Sequence, residues 1–360
     1  MPRIDDLLRR MPENGASDLH MVAGEKPKFA LHGEVVEVED WDVLENDVLR
    51  DILFEILDED QKKIYLDHWD IDHAYAIEGV ARYRCNYSMQ RTGFGGVFRI
   101  IPSTILTLEQ LSMPKALQKF VSIRSGMVLV TGPTGSGKTT TLAAIINEIN
   151  ETQRRRMITI EDPVEFVHPN KKSIISHREV HTHTNSFANA LRAVTRQDCD
   201  VVLVGELRDL ETMGLALSAA AMGTLVFGTL HTNSAAKTID RIIDIFPSDQ
   251  QPQVRTMLAE SLRGIVAQQL LRTKDGKGRV AATEILIGNQ AVSSIVREGK
   301  IERITSVLQS GKREGMQMMD DTLEGMVKEG SIDGKAAYMK ANEKKRFEHY
   351  MDENAPLTEA

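Results

Sequence analysis

The sequence is poor in cysteine and has no long hydrophobic run. Cys85 and Cys199 are its only cysteines, so the chain by itself cannot build a disulfide scaffold or a four-cysteine zinc site. No apolar stretch approaches the roughly 18 residues of a transmembrane helix, and the polar start Met-Pro-Arg-Ile-Asp-Asp is unlike a signal peptide. We therefore expect a cytoplasmic protein that does not insert into a membrane directly.

An excess of basic charge is absent as well. The formal net charge is −8, and aromatic residues are not interleaved with basic ones as they are on single-strand binding surfaces. These absences argue against a nucleic-acid partner. With 360 residues, 41% of them hydrophobic and 27% charged, the chain is long enough for two domains with ordinary globular cores.

The first part of the chain mixes helical and strand patterns, which predicts a small α+β domain over residues 1–101, followed by a linker over 102–116. The expected helices are Ile4–Met11 and Val48–Asp67. The expected strands lie within Lys28–Val38, around a turn at His32-Gly33, and at Ala74–Ile77, Ala81–Tyr87 and Gly95–Ile101.

Over residues 117–340 short apolar segments alternate with helical ones, which predicts a parallel, doubly wound sheet and an α/β fold class. The expected strands are Met127–Thr131, Met157–Glu161, Val201–Gly205 and Leu225–Thr229, with a further strand pair around Arg279–Ile287. Beyond about residue 250 the pattern is mainly helical. Residues 341–360 are charged and contain Pro356, so we expect a flexible tail there.

A complete phosphate-binding motif, G-x-x-x-x-G-K-[ST], connects the expected strand Met127–Thr131 to a helix. Its glycines let consecutive backbone N–H groups surround a phosphate, and the helix N-terminus adds partial positive charge. Lys138 would reach the β- and γ-phosphates of ATP, and Thr139 would place its hydroxyl on Mg²⁺. A glycine-rich turn with a chance lysine is the alternative, and the complete motif with its flanks argues against it. The expected ATP-binding residues are Gly132, Pro133, Thr134, Gly135, Ser136, Gly137, Lys138, Thr139 and Thr140.

Three polar segments follow expected core strands, at the edge where open α/β sheets bind their ligands. They contain Glu161-Asp162-Pro163-Val164-Glu165, Glu206 and His231. Carboxylates at this edge can hold the water shell of a metal ion or polarise an attacking water, and His231 would sense a γ-phosphate. The alternatives are a solvated turn at Asp162-Pro163, a helix-capping role for Glu206 and a purely structural histidine.

Five sequence blocks occur in a recognisable order. They are Ser17–His20, the phosphate loop as Walker A, Ile158–Glu165 as an Asp box, Val204–Asp209 as Walker B and Gly228–Thr232 as a His box. Together they resemble the secretion ATPases, and more narrowly the PilT-type type IV pilus retraction ATPases, over about residues 3–335. The resemblance implies a small PAS-like α+β N-terminal domain followed by a RecA-like P-loop ATPase domain, with ATP between them.

The resemblance also implies residue roles. Glu165 would activate the attacking water, and Glu206 would serve the Mg²⁺ shell, so Thr139 and Glu206 form the expected metal site. Arginines of the N-terminal domain would reach the phosphates, although any one of them could instead be a surface cation on a strand. The candidates are Arg82, Arg84, Arg91 and Arg99, of which Arg82 and Arg99 are preferred.

The assembly implied by the resemblance is a cytoplasmic homohexamer, peripheral at the inner-membrane base of the pilus machine. Its expected partners are the inner-membrane platform protein of the pilus and a paralogous retraction ATPase. Extension and type II secretion ATPases of the same superfamily usually carry a four-cysteine zinc module, which this chain cannot form. The retraction branch is therefore favoured.

Three departures from the family pattern leave alternatives open. Ala221-Met222-Gly223-Thr224 stands where the His box commonly begins with Glu-Thr-Gly-His, Ser293 stands where the motif linked to retraction has its first arginine, and the charged tail extends beyond the usual end. We keep three hypotheses: a motor that retracts pili by ATP hydrolysis, an accessory PilU-like or regulatory nucleotide-binding subunit, and a nucleic-acid translocase. The acidic composition counts against the third.

His168, His177, His181 and His183 form a histidine-rich stretch. A metal site needs convergent ligands, usually with a carboxylate or thiolate beside the histidines. Because the stretch follows the Asp box in an expected loop, we predict a solvated loop and no metal site.

Overall fold

The computed structural model describes residues 2–31, 34–101 and 104–351, in two compact units. The first unit takes in the chain up to Thr104 together with Pro163–Val167, and the second takes in Ile105–Asp162 and the chain from His168 onward. The expected turn at His32-Gly33 and the start of the expected linker lie outside the described residues.

The first unit is built on a six-stranded sheet in the order β3-β2-β1-β6-β5-β4, and all neighbouring strands are antiparallel. Its elements in chain order are α1 Ile4–Asn14, β1 Asp18–Val22, β2 Lys28–Leu31, β3 Glu34–Glu37, α2 Asn46–Phe54, α3 Glu59–His68, β4 Asp70–Ile77, β5 Ala81–Gln90 and β6 Gly93–Ile101. Helix α1 illustrates how the sequence builds the unit's core. Ile4, Leu7, Leu8 and Met11 recur at helical spacing, and all four are fully buried.

The helix expected over Val48–Asp67 is in fact two helices, α2 and α3. The side chain of Asp58 accepts a hydrogen bond from the backbone N–H of Gln61 at 2.8 Å, and the side chain of Gln61 accepts one from the backbone N–H of Asp58 at 3.1 Å. This reciprocal capping box begins a new helix at Glu59. The apolar spacing continues across the break, which is why the pattern suggested one helix.

The second unit contains a seven-stranded sheet in the order β13-β12-β7-β11-β10-β8-β9. Neighbouring strands from β12 to β9 are parallel, and β13 is antiparallel to β12. The elements are α4 Gln118–Val121, β7 Gly126–Thr131, α5 Lys138–Thr152, β8 Arg156–Glu161, β9 Ile174–Glu179, α6 Phe187–Val194, β10 Val201–Val204, α7 Leu210–Ala221, β11 Leu225–Leu230, α8 Ala235–Asp244, α9 Gln251–Ser261, β12 Leu262–Arg272, β13 Arg279–Ile287, α10 Gln290–Glu298, α11 Ile304–Ser310, α12 Met319–Lys328 and α13 Gly334–Lys340. Within the ranges that the structure describes, no helix combines the length and the apolar character needed to cross a bilayer.

The central strands of this sheet are buried on both faces. In β10, Val202 and Val204 belong to one hydrophobic cluster, whereas Val201 and Leu203 belong to another. Successive side chains of a strand point to opposite faces, so an unbroken apolar run is what a doubly covered parallel sheet requires. The predicted α/β class is confirmed: a small α+β unit is followed by a larger P-loop unit.

The C-terminal residues correct the prediction of a flexible tail from residue 341. Phe347 is fully buried in a cluster that includes residues of α12 and α13. The backbone N–H groups of Asn342 and Glu343 donate to the buried carboxylate of Asp320 at 2.8 and 2.7 Å. Residues 341–351 are therefore packed within the second unit, and residues 352–360 lie outside the described chain.

Candidate functional site

The ends of four parallel strands bring the candidate segments to one edge of the second unit's sheet. β7 leads into the phosphate loop, β8 ends at Glu161, β10 is followed by Glu206 and β11 by His231. The registers pair Val204 of β10 with Ile160 of β8 and with Gly228 of β11, so these strand ends lie side by side. This is the edge at which open α/β sheets bind ligands.

The phosphate loop, residues 132–139, requires glycine for its backbone. Gly132, Gly135 and Gly137 have φ angles of 147°, 75° and 84°, which side chains rarely allow. The ammonium group of Lys138 donates hydrogen bonds to the carbonyl oxygens of Gly132 at 2.9 Å and Pro133 at 3.0 Å. Its side chain therefore folds back over the loop.

The residues of the loop differ in exposure. Pro133, Thr134 and Gly135 are exposed, while Lys138, Thr139 and Thr140 are half-buried at the start of α5. Ser136 is only 2% exposed, and its hydroxyl has no hydrogen-bond partner in the described part of the chain. A helix N-terminus with a lysine and an unpaired hydroxyl fits a bound phosphate group.

Gln268 on β12 supports this loop and was missed from the sequence. Its side-chain Nε2 donates to the carbonyl oxygen of Ser136 at 2.6 Å, and its Oε1 accepts from the hydroxyl of Thr141 at 2.9 Å. The only hint in the sequence is a pair of glutamines, Gln268-Gln269, inside the otherwise apolar run of residues 264–271. A buried polar side chain needs a partner, but the pattern does not say which.

Glu206 lies beside two nitrogen-bearing side chains. Nε of Arg208 is 2.5 Å and Nε2 of His231 is 3.1 Å from the same carboxylate oxygen, Oε1. The side chain of Glu206 is 19% exposed, against 77% for Arg208 and 44% for His231. The structure thus brings Glu206 and His231 together and adds Arg208, which the sequence had not singled out.

These neighbours keep Glu206 ionised. Burial raises the pKa of Glu206, but the hydrogen bond and charge of Arg208, with the charges of His231 and Lys138, lower it below its ordinary value overall. The hydrogen bond to Glu206 in turn raises the pKa of Arg208. An ionised carboxylate is available to a metal ion or to its bound water.

The segment that follows His231 is held by buried side chains where it enters α8. The hydroxyl of Thr238 lies 2.7 Å from that of Thr232 and donates to the carbonyl oxygen of Ser234 at 2.7 Å. The buried carboxylate of Glu284 accepts from the backbone N–H of Ala235 at 2.8 Å, at the start of α8. Burial raises the pKa of Glu284. His231 therefore extends from a loop that is held by hydrogen bonds of two buried side chains, those of Thr238 and Glu284.

The other expected site residues belong to the first unit. Glu165 is half-buried in the segment Pro163–Val167. The candidate arginines are Arg82 and Arg84 on β5, Arg91 between β5 and β6, and Arg99 on β6. Nε of Arg99 donates to Asp18 Oδ1 at 2.7 Å. The roles of Glu165 and of these arginines toward a nucleotide stay predictions.

The histidine-rich stretch is not simply a solvated loop. His168 is 3% exposed, its ring stacks on that of His177 with centroids 6.0 Å apart, and its backbone N–H donates to Nε2 of His177 at 3.0 Å. His177 lies on β9, which the sequence had assigned to a loop. Burial lowers the pKa of His168 to about 4. No group of three His, Cys, Asp or Glu side chains in the described ranges could hold a metal ion.

A cavity of about 870 Å³ opens beside the end of the phosphate loop. Gly137, Thr140 and Thr141 line it on the loop side, and Leu111 and Arg279 are among the residues on its other walls. Ligand pockets typically measure about 300–1,000 Å³, so the cavity has room for a nucleoside.

Comparison with known proteins extends this local picture. A family model described as Type II/IV secretion system protein matches residues 95–352. The chain is 50% identical over 335 residues to a twitching motility protein of Neisseria gonorrhoeae, covering 93% of this chain and 89% of that one. It is 45% identical to the type IV pilus retraction ATPase PilT of Pseudomonas aeruginosa, over 96% of this chain and 99% of that one.

Two further comparisons bear on the alternatives. A crystal structure of the pilus retraction motor PilT with bound ADP superposes with a TM-score of 0.89 at 40% identity, covering 96% of this chain and 98% of that one. The type IV pilus ATPase PilU of Pseudomonas aeruginosa is 36% identical, over 91% of this chain and 86% of that one.

Proposed function

The chain belongs to the Type II/IV secretion system protein family, and from this membership we propose that it is an ATPase that powers the retraction of type IV pili. The observation that carries the proposal is the sheet edge where the phosphate loop, Glu206 and His231 meet. The relatives named for retraction and twitching motility span nearly the whole chain. The proposal therefore concerns the whole molecule and not its nucleotide-binding part alone.

The nucleotide would bind with its phosphates on the phosphate loop and its nucleoside in the adjoining cavity. Gly137 of the loop and Thr140, the first residue after it, both line the cavity, so a nucleotide could extend from the loop into the cavity. Lys138 would orient the β- and γ-phosphates. The buried hydroxyl of Ser136 and the backbone donors of the loop would hold the phosphate oxygens.

Thr139 and Glu206 would hold a magnesium ion. The hydroxyl of Thr139 lies at the start of α5, and the carboxylate of Glu206 is kept ionised by its neighbours, so both groups offer the hard oxygen ligands that this ion prefers. Bound magnesium neutralises charge on the β- and γ-phosphate oxygens. The chain's own contribution is to align Glu206 through Arg208 and His231.

In hydrolysis, Glu165 would take the proton of the attacking water and His231 would contact the γ-phosphate. Arg82 or Arg99 would add positive charge to the phosphates. These roles follow from the resemblance, and phosphoryl transfer requires this combination of positioning and charge neutralisation. We further propose a homohexamer that acts peripherally at the membrane base of the pilus, against its platform protein.

ATP hydrolysis by the purified chain, measured together with its oligomeric state, tests the proposal. We expect Mg²⁺-dependent phosphate release by a hexamer, and a loss of at least about 100-fold in Lys138→Ala. Lys171→Ala is the matched control, because Lys171 pairs with Glu151 on the surface, away from the loop. Equal turnover by Lys138→Ala and the wild type would refute the proposed site.

A second candidate, an accessory PilU-like motor subunit, is favoured by one observation. The hydroxyl of Ser293 on α10 donates to the carbonyl oxygen of Ala259 on α9 at 2.7 Å, where the family motif has an arginine. Complementation separates the candidates. Retraction restored in a strain that lacks every other retraction ATPase would support the principal motor, whereas retraction only beside a second motor would support the accessory subunit.

A further inference from the structure

We propose that Gln268 is a positioning residue that holds the phosphate loop in its nucleotide-binding shape through both atoms of its side-chain amide. The inference rests on the proposed function, because it concerns the binding of the same nucleotide. The proposal means that a residue of β12, far along the chain from the loop, helps to orient the backbone N–H groups that the loop offers to a phosphate.

Gln268 contacts the loop and the first turn of α5 at the same time. Its Nε2 donates to the Ser136 carbonyl oxygen at 2.6 Å, and its Oε1 accepts from the Thr141 hydroxyl at 2.9 Å. Gln268 and Thr141 are 2% and 1% exposed, so water cannot readily replace either bond. A turned amide would place Oε1 against the Ser136 carbonyl oxygen, and neither atom can donate, so this orientation of the amide is favoured.

Two glycines of the loop leave the space that Gln268 fills. A Cβ atom on Gly132 would lie 2.2 Å from the backbone oxygen of Gln268, and one on Gly137 would lie 2.9 Å from its Nε2. Gly135, in contrast, has no neighbouring atom within 4 Å of such a position. Both ends of the loop therefore lie in contact with Gln268, whereas the middle of the loop, at Gly135, has no close neighbour.

The bond to Ser136 also determines the direction of a phosphate donor. The Ser136 carbonyl and the Gly137 N–H belong to one planar trans peptide, so they point in opposite directions. Since Gln268 holds the carbonyl on the β12 side, the Gly137 N–H is turned away from β12. A loop that presents this donor before the ligand arrives avoids the cost of ordering it during binding.

The neighbouring Gln269 provides a matched control. It is 7% exposed, and its Nε2 donates to the carbonyl oxygen of Lys340 at 3.1 Å. It therefore resembles Gln268 in residue type, strand and burial, and it also bonds to a backbone carbonyl. Adjacent residues of a strand face opposite sides, and Gln269 serves α13 and not the loop.

The test compares Gln268→Met and Gln269→Met in the full-length chain. Binding of the fluorescent nucleotide methylanthraniloyl-ADP is titrated, and thermal unfolding is followed on the same samples. We expect both variants to lose thermal stability, but only Gln268→Met to bind the nucleotide about 10-fold or more weakly, with Gln269→Met within about twofold of the wild type. Gln268→Glu, which keeps the acceptor for Thr141 and loses the donor to Ser136, should bind as weakly as Gln268→Met.

A merely structural role would lower the melting temperature of both variants without separating their affinities, and that result would overturn the inference while leaving the proposed function intact. Absence of binding by the wild type would overturn the proposed function and the inference with it. If Gln268→Met does not fold, Thr141→Val decides, because it removes the bond to Oε1 and keeps the volume of the side chain on the cavity wall. It should bind about threefold more weakly, and unchanged affinity would overturn the inference.

Discussion

The two halves of the candidate site are held in different ways. The phosphate loop lies on a buried floor, where Gln268 bonds to Ser136 and Thr141 and all three side chains are at most 2% exposed. Glu206 and His231 are held instead by a group of ion pairs and hydrogen bonds in which Arg208 is 77% exposed. The phosphate loop is fixed by buried hydrogen bonds, whereas Glu206 and His231 are held by charged groups that water can reach.

This difference fits the roles that the proposed function gives to the two halves. Buried hydrogen bonds are costly to break, so we expect the loop to keep one shape before and after a phosphate binds. The cationic partners of Glu206 are accessible to water, Arg208 at 77% and His231 at 44%, so we expect these pairs to rearrange more easily than the buried bonds when a nucleotide and a metal ion arrive. We infer that phosphate binding is preorganised and that the response to the γ-phosphate lies with Glu206, Arg208 and His231.

The largest expected effect separates catalysis from binding at Glu206. Glu206→Gln keeps the shape of the side chain and removes its charge, so ATP hydrolysis should fall by about 100-fold or more while nucleotide affinity changes little. Phosphate release and methylanthraniloyl-ADP titration measure the two quantities. Glu298→Gln, at an exposed surface carboxylate paired with Lys300, is the control. An equal loss of affinity and turnover would contradict the division between the two halves.

The next largest effect is expected on the stability of the phosphate loop, which packs on β12. Gly132→Ala would place a Cβ atom 2.2 Å from the Gln268 backbone oxygen, so it should destabilise the fold by about 2–4 kcal/mol and weaken nucleotide binding. Gly276→Ala is the control, because Gly276 also has a positive φ but nothing within 4 Å, and about 1 kcal/mol is expected there. Denaturant unfolding measures both. Similar values for the two variants would show that the loop is not tightly packed on β12.

A smaller effect is expected at the buried side chains that hold the segment after His231. Thr238→Val keeps the volume of the side chain and removes its hydrogen bonds to Thr232 and Ser234, which should cost about 1–2 kcal/mol. Thr256→Val should cost less, because Thr256 is exposed and its hydroxyl bonds to the carbonyl oxygen of Pro252 within the same helix. A loss of stability at Thr238 with normal ATP hydrolysis would show that this hydroxyl serves the fold and does not align His231.

The smallest effect on stability is expected at Arg208, and it depends on pH. Because the pKa of Glu206 is lowered from 4.5, its ionised form stabilises the folded state above that value, and this contribution is lost as the pH falls through the lowered pKa. In Arg208→Ala burial would dominate, so the pKa of Glu206 should rise. Stability near neutral pH should change by less than about 1 kcal/mol.

Thermal unfolding between about pH 3 and pH 7 tests this prediction. The loss of stability on acidification should be smaller in Arg208→Ala than in the wild type, because a higher pKa of Glu206 in the folded state reduces the proton uptake that accompanies unfolding. Arg192→Ala, which removes another exposed pair, with Glu211, is the control for a general effect of losing a surface arginine. Identical pH profiles in Arg208→Ala and the wild type would show that Arg208 does not control the charge of Glu206.

Much of the second unit could be predicted because its signals are local. The apolar strands, the phosphate loop and the acidic strand ends are each contained in a few consecutive residues. β9 was missed because its residues Ser176-His177-Arg178-Glu179 are polar, and it became a strand through its pairing with β8. The expected tail failed for a similar reason, since Phe347 is a single apolar residue in a charged segment until α12 and α13 cover it.

The sequence by itself determined the chemistry of the loop and the strand ends, because glycines, a lysine and carboxylates act through groups that their own short segments place. It also contained the resemblance to the retraction ATPases. Only the tertiary structure decided that Gln268 reaches Ser136, 132 positions away, and that Arg208 and His231 share one oxygen of Glu206. The physical reason is that the contacts of Gln268 with Ser136 and of His231 with Glu206 join segments that form or follow different strands, and the order of the sheet decides which strands are neighbours. Arg208 is near Glu206 in the sequence, and the fold of their shared segment brings its side chain to the carboxylate.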